Sequence, residues 1–410
     1  MRILHANKFY FPKRGADRIF FNLTELLERH GHEVIPFSMQ HPKNLKSNFR
    51  EYFVSQVHFE NPTTIIEKFR VLGRMMYSFE ARRKLSALLD AYPCDIAHLE
   101  TIYHQISPSI LSVMKKRGMP IVMTVHDYKL MCPNYKMYTQ DAVCERCFKH
   151  KYYNAVTHKC IQNSSIASVP VMLEMYFHKI MKFYERYVDV FLASSEFMKN
   201  KLVQWGFDEK KVLVLNNFID TSFFTAGKQD QGYFLFSGGL EVEKGVLTIA
   251  RAVKKSKKLR VVFTGTGNLE KYLHEFVEKN SLHHQIEFRG FVEREETRRL
   301  LQNCTALLAP SEWYDNNPLT IIEATACGKP VIGTEIGGIP ELIEDGKTGF
   351  VIKPGDHIAL ASLMERLAMN HSEAAAMGRR ALRNSTRFSP EKHYNAVMSV
   401  YNDLLAKKAT

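Results

Sequence analysis

Cysteine is scarce, 7 in 410 residues, so the chain is no disulfide scaffold. Its 21 glycines and 15 prolines fall short of a collagenous or disordered composition. No run of about 18 apolar residues marks a transmembrane helix, and the opening MRILHANKFYF lacks the apolar stretch of a signal peptide. The expectation is a soluble cytoplasmic protein. No internal repeat or low-complexity tract appears, which excludes a solenoid. Acidic residues are outnumbered, and the net charge of +13 attracts polyanions: nucleic acid, a phosphorylated substrate or an anionic membrane face. What is present is an ordinary globular mix, 45% hydrophobic and 24% charged, long enough to exclude a single small binding module.

From Arg2 onward apolar runs alternate with amphipathic stretches, the order expected of parallel sheets covered by helices on both faces, so the predicted fold class is α/β. Strands are predicted at residues 3–6, 33–37, 96–99, 121–125, 190–193 and 212–215. A helix over 16–30 places Ile19, Phe20, Leu23, Leu26 and Leu27 on one stripe before Gly31. After Asn216 a polar, turn-rich run reads as a linker. Strands then resume at 233–236, 261–264, 286–288, 306–308, 331–332 and 350–352, with helices after Lys244 and from Leu269. The tail carries Tyr394, Val397, Val400, Tyr401 and Leu404 on one helical stripe. The expected division is 1–217, 218–387 and a terminal helix over 388–410. Doubly wound sheets bind ligands outside the carboxyl ends of their strands, so site residues should follow strands directly.

The strongest segment spans residues 304–350. An apolar strand leads into a polar, aromatic loop; Asn317 is the expected N-cap and Pro318 the first helical residue. The amides of Leu319 and Thr320 then make a seat for a phosphate. Glu323 shares that helical face, and Asp315 lies eight positions earlier in the loop. Two carboxylates beside one anion seat suit hydroxyls on either side of a diphosphate; the alternative is a turn aspartate and a solvated helix glutamate. A second phosphate feature is FLFSGGLEVEKGV, where Gly238 and Gly239 follow a strand and Lys244 is expected to open a helix. A plain glycine turn with a surface lysine is its alternative. Gly15, with Arg14 as an extra cation, lies between the first strand and the first helix, and Gly267 closes a Gly-x-Gly turn; each is weak alone. His126 and Asp127 end the strand at 121–125, a better place for a ligand than a core face.

The 304–350 segment resembles the donor-binding signature of retaining glycosyltransferases of family 4, which have the GT-B fold. Two acids separated by seven residues precede Ala and a Gly-Lys-Pro-Val run, and the match includes Glu323, Ala324, Gly328, Pro330, Val331, Gly337, Gly338, Pro340, Glu341 and Gly349. Weaker matches cover most of the chain. The resemblance implies two Rossmann-like, doubly wound domains facing a central cleft. Residues 1–217 would hold a saccharide or lipid-linked saccharide acceptor, and 218–387 a UDP- or GDP-sugar donor. The helix over 388–410 would pack back on the first domain, and donor binding would close the cleft. It also implies that Glu323 holds the ribose, Asp315 contacts the transferred sugar and Lys244 clamps the diphosphate. Gly15, Gly239 and Gly267 would lie in donor-binding turns. His126 would stand beside the sugar, orienting hydroxyls and supporting its developing positive charge. Attack would be front-face, the leaving diphosphate taking the acceptor proton, with no catalytic metal expected. Three residues depart from the pattern: Asp315 replaces the usual Glu, Gly239 stands where Arg is expected, and Ala16 replaces a second Gly.

Cys132, Cys144, Cys147 and Cys160 fall within an insert at 130–162, with eleven, two and twelve residues between them. Four thiolates suit a structural zinc with no open position for chemistry; redox or free thiols and an iron–sulfur cluster are the alternatives. Cys94, Cys304 and Cys327 read as packing residues. Residues 165–187 interleave apolar side chains with Lys179, Lys182 and Arg186, suiting them either to an anionic bilayer or to packing on the sheet. Two rival functions remain. One is a non-catalytic nucleotide-sugar-binding protein of the same fold. The other is a zinc-containing nucleic-acid protein, which the missing Cys-Cys-His-His pattern disfavours, so no nucleic acid is expected. A nicotinamide enzyme is disfavoured because no complete Gly-x-Gly-x-x-Gly follows the first strand.

Overall fold

Short runs rich in Val, Ile, Leu and Phe, bounded by turn residues, form strands buried on both faces. In the computed structural model, which describes residues 1–13, 15–57, 65–227 and 229–409 without the side chains of 65–70 and 409, they build two six-stranded sheets. Arg14 lies outside the described residues. The first sheet takes Arg2–Ala6 (β1), Glu33–Phe37 (β2), Ile96–Leu99 (β3) and Ile121–Val125 (β4). Tyr138–Thr139 (β5) and Ala142–Val143 (β6) then pair as a small antiparallel hairpin, and Val190–Ala193 (β7) and Val212–Val214 (β8) complete the first sheet. The second takes Phe234–Ser237 (β9), Val261–Thr264 (β10), Ile286–Phe288 (β11), Ala306–Ala309 (β12), Val331–Thr334 (β13) and Gly349–Ile352 (β14). Both are parallel throughout, and eleven of the twelve predicted strands lie within one residue of those observed.

Strand order locates the candidate sites. The first sheet runs β2-β1-β3-β4-β7-β8 and reverses between β1 and β3; the second runs β11-β10-β9-β12-β13-β14 and reverses between β9 and β12. At such reversals the connecting loops diverge to opposite faces and leave a crevice at the carboxyl ends.

The chain forms two compact units, one of Met1–Met137, Cys144–Asn216 and the chain from His393, the other of Tyr138–Val143 and Asn217–Lys392. In the first, helix Gly15–Arg29 buries Ile19, Phe20, Leu23, Leu26 and Leu27, the stripe its periodicity predicts. The terminal helix Pro390–Ala409 buries Val397 and Tyr401 and stacks Tyr394 on His30. In the second, Phe234, Phe236, Ile249, Val261, Phe263, Leu308 and Leu360 share one core. Helix Ser165–Met181, capped by Ser164, buries Val171 and Met175 yet leaves Ile166 85% and Ile180 76% exposed, so it packs on one side and shows an apolar stripe on the other. Among the described residues, no helix is long and apolar enough to cross a membrane.

Candidate functional site

At the reversal of the second sheet, two loops are tied together. After β9 the chain makes a turn over Val242–Lys244, and helix Val246–Lys254 begins two residues later, so Lys244 precedes that helix rather than opening it. The cause is Gly245. It sits at φ +71°, where a Cβ would stand 1.9 Å from the Pro310 carbonyl oxygen, so only glycine lets this turn lie on the loop after β12. Lys244 Nζ donates to Asp315 Oδ2 at 2.6 Å, Ser311 Oγ donates to the same oxygen at 3.1 Å, and Nζ lies 5.0 Å from the Trp313 ring centre. Thr248 Oγ1 donates to Glu312 Oε1 at 2.6 Å, and the Glu312 amide donates to the Glu243 carbonyl at 2.8 Å. Behind the loop, Gly337 comes so near the Asp315 backbone that a Cβ would lie 2.2 Å from its carbonyl oxygen, and the Gly338 amide donates to that oxygen at 2.8 Å. Asp315 is therefore fixed through both backbone and side chain.

Helix Leu319–Ala326 follows that loop, and the expected cap is corrected. Asn317 does not cap it: its Oδ1 accepts from the Asn217 amide and its carbonyl from Asn217 Nδ2, both at 2.9 Å. Pro318, extended at ψ 120°, takes the cap position one residue before the helix. Linker residue Asn217 competes for the Asn317 side chain and wins it. Leu319 and Thr320 begin the helix, where amides lack intrahelical partners. Glu323 is 1% exposed, which excludes the solvated alternative. Gly267 lies against the turn after β9, where a Cβ would meet the Leu240 carbonyl oxygen at 2.3 Å. Gly239, in contrast, has room: the nearest atom to its added Cβ is Glu241 Cγ at 3.6 Å.

In the first unit, Gly15 begins the helix after β1, and His126 follows β4 as expected. The sequence reading missed what stands behind the histidine. Glu100, next after β3 and fully buried, meets His126 Nε2 through Oε2 at 2.5 Å and His5 Nε2 through Oε1 at 3.3 Å. Burial opposes charge on Glu100, but the His126 contact outweighs it and holds the carboxyl well below the usual range. Burial likewise pushes His126 down, yet Glu100, Asp127 and Asp17 turn the balance upward. Burial raises Asp127, whose Oδ1 accepts the Lys129 amide at 2.9 Å. The only available sequence signal was a charged residue closing the short strand IAHL.

The cysteine insert is held by a second buried pair that the sequence reading missed. Lys129 Nζ donates to Glu174 Oε2 at 2.8 Å, and His104 Nδ1 lies 3.2 Å from Oε1, with Lys129 and Glu174 side chains 3% and 1% exposed. Cys147 and Tyr152 pack on Met175. Burial pushes the Cys132 thiol up to about 12, with Cys160 and Cys144 adding to it, and Cys147 also rises by burial and the other three thiols. The four are thus near neighbours, and none is in a disulfide. Among the described residues, however, no group of three or more His, Cys, Asp or Glu side chains is arranged to hold a metal ion.

The second unit thus gathers Gly239, Lys244, Gly267, Asp315 and the 317–320 turn around one reversal, with Glu323 on the helix that follows; Gly15 and His126 belong to the first. The family profile described as Glycosyltransferase Family 4 matches residues 13–223, and that described as Glycosyl transferases group 1 matches 218–384. An uncharacterized glycosyltransferase of Methanocaldococcus jannaschii, MJ1178, is 28% identical over 53% of this chain and 60% of its own length. The amylovoran biosynthesis glycosyltransferase AmsK of Erwinia amylovora is 27% identical over 45% of this chain and 49% of its own. The chain thus spans about half to three fifths of these two relatives. The solved structure of Anabaena Alr3699/HepE in complex with UDP and glucose superposes with a TM-score of 0.65, at 17% identity, over 98% of this chain and 99% of that one. At that identity the likeness is one of fold, the GT-B architecture of two doubly wound units.

Proposed function

This chain belongs to glycosyltransferase family 4, and from that premise we propose that it moves a sugar, with retention, from a nucleotide diphosphate donor to a saccharide hydroxyl in cell-surface polysaccharide assembly. The observation carrying this reading is the Lys244–Asp315 pair at the β9/β12 reversal, ahead of a helix bearing buried Glu323. A cation, unsatisfied amides and two carboxylates fit the diphosphate, ribose and sugar of such a donor. Lys244 and the amides of Leu319 and Thr320 would take the leaving diphosphate, Glu323 the ribose and Asp315 the sugar. The anomeric carbon–phosphate oxygen bond breaks, a bond from the acceptor oxygen forms on the same face, and the acceptor proton passes to the departing diphosphate. His126, in the first unit, is assigned to the transferred sugar. AmsK, named for amylovoran biosynthesis, supports the polysaccharide setting, and the HepE complex supports a UDP-type donor. The exposed stripe of Ile166, Leu173, Ile180 and Met181, in a chain of net charge +13, supports an anionic membrane surface and a lipid-linked acceptor.

The direct test is a panel of UDP- and GDP-sugars read both by thermal stabilisation and by nucleoside diphosphate release with crude glycolipid acceptors. Stabilisation together with acceptor-dependent release is the expected result. Binding without release on every acceptor would favour a non-catalytic member of the fold, a reading that Gly239 and Asp315 motivate. Structural zinc on Cys132, Cys144, Cys147 and Cys160 rests on donor chemistry alone, since the thiols must turn toward one another to close a tetrahedron. Metal analysis of anaerobically prepared protein should find about one zinc per chain, and none would remove the proposal.

A further inference from the structure

The cluster behind His126 is more than a packing solution. Glu100 carries no solvent exposure, both its oxygens contact imidazole nitrogens, and among the described residues no arginine or lysine is paired with it. A buried carboxylate stays ionised only when a partner supplies positive charge or hydrogen-bond donors. The surrounding rings divide the work. His98 donates to or accepts from hydroxyls on both sides, Nε2 to Thr124 Oγ1 and Nδ1 to Tyr401 Oη, each at 2.6 Å, and burial pushes it down to about 3, so it stays neutral. His5 Nδ1 meets Thr24 Oγ1 at 2.9 Å, and its contact with Glu100 is the longer one, 3.3 Å. His126 makes the shorter contact, 2.5 Å, and is the one of the three that keeps some side-chain exposure, 9%. The buried carboxylate therefore has its main cationic partner at the rim of the sheet.

We infer that Glu100 is a positioning residue that holds His126 as an imidazolium with Nε2 turned back into the protein and Nδ1–H left to donate outward. The inference rests on the reading of His126 as the residue that meets the transferred sugar. It assigns the ring a role as cation and hydrogen-bond donor, and it removes a role as base while the ring is charged, because both nitrogens then carry protons, Nε2–H committed to Glu100 and Nδ1–H facing outward. The groups that tune the ring are Glu100, next after β3, His98 within β3, the adjacent Asp127, and Asp17 from helix Gly15–Arg29; Lys8 and Lys129 act on Asp127. Sign follows from these: the raised His126 keeps its proton to higher pH than an ordinary histidine does and loses it as pH rises through its raised value. Transfer should accordingly hold level while the ring is charged and decline as pH rises past that raised value.

Two measurements on the full chain test this. The first follows the histidine ring nitrogens by NMR across pH, with His126→Ala to assign the signal. His126 should titrate above the ordinary histidine value of about 6.5, and Glu100→Gln should lower its midpoint by about one unit or more. An unchanged midpoint overturns the inference, and this arm needs no substrate, so it stands even if the chain proves to transfer no sugar. The second is kinetic. Glu100→Gln should lower kcat by roughly tenfold to a hundredfold, move the alkaline limb of the pH profile downward, and leave donor KM within about threefold. The double variant with His126→Ala should be no worse than His126→Ala alone; a further loss of the same size would show that Glu100 acts independently and overturn the pairing. Should Glu100→Gln fail to fold, Glu100→Asp keeps the charge and must keep the elevated His126 midpoint, and its loss would count equally against the assignment.

Discussion

The two sheets differ in where their strand order reverses and in what they place there. The first crosses over between β1 and β3 and puts its carboxylate inside, at Glu100, to serve a histidine at the rim. The second crosses over between β9 and β12 and puts a lysine at the rim, held by the loop carboxylate Asp315. In the first unit the anion is structural and its cationic partner reaches outward. In the second, cation and anion both keep some access, with Lys244 and Asp315 side chains 28% and 12% exposed. Burial commits a charge to one partner, whereas partial access leaves it free to exchange partners when a ligand arrives.

The largest effect should come from breaking the buried side of this contrast. Glu174→Ala strands Lys129 without its carboxylate in the interior and should cost about 3–5 kcal/mol of stability, measured by denaturant unfolding. A cost under about 1 kcal/mol would mean that the pair is solvated, and the contrast would fail. Acid should find the same weakness. Burial opposes ionisation of Glu100 and Glu174, but His126 and His5 around the first, and His104 and Lys129 around the second, hold both carboxyls below their ordinary value of 4.5. Such groups contribute stability that is fully present above that value and is lost as pH falls through the lowered folded-state value. Thermal melts from pH 7 downward should therefore fall steeply below about 4.5, and Glu174→Gln should flatten that fall.

On the accessible side, Glu323→Ala should reduce kcat/KM by roughly tenfold to a hundredfold, the worth of a hydrogen bond to a charged group. Unchanged turnover would remove Glu323 from the donor site. This residue also shows how far sequence reaches. Its spacing from Asp315 and the following Gly-Lys-Pro-Val run identified the segment, because helix and loop geometry there depends on local residues. The strands were legible for the same reason. Asn317 was misjudged because its side chain is taken by Asn217, one hundred positions away, a competition that local propensity does not register. Glu100 and Glu174 escaped notice because a charged residue after a strand or in a helix reads as solvated until tertiary packing buries it. The insert was illegible in a third way: Tyr135, Met137, Gln140, Asp141, Lys149 and Lys159 adopt left-handed backbone without glycine, which leaves no turn signal to read.

A smaller gain is expected where the chain departs from its family. Gly239 has an ordinary backbone and a missing Cβ that would meet only the Glu241 side chain, at ordinary contact distance, so Gly239→Arg should fold and add a second cation beside Lys244. UDP should then bind about tenfold tighter by calorimetry, the lower end for a charge-assisted hydrogen bond. Equal affinity would show that the arginine position does not face the diphosphate in this chain.

The smallest effect is the most discriminating, because its sign separates the two sheets. Removing the Glu100 charge should weaken the cation it serves, but Asp315→Asn should release Lys244 from a competing anion. Both side chains are partly accessible, so solvent screening limits the released interaction to about 1 kcal/mol, roughly fivefold in the Kd for UDP. Binding should thus tighten while transfer slows, since the carboxylate assigned to the sugar is gone. Weaker UDP binding in Asp315→Asn would mean that the aspartate orients Lys244 for the diphosphate rather than competing with it. The second sheet would then work as the first does, with its anion committed to its cation, and the difference drawn from their exposure would fall.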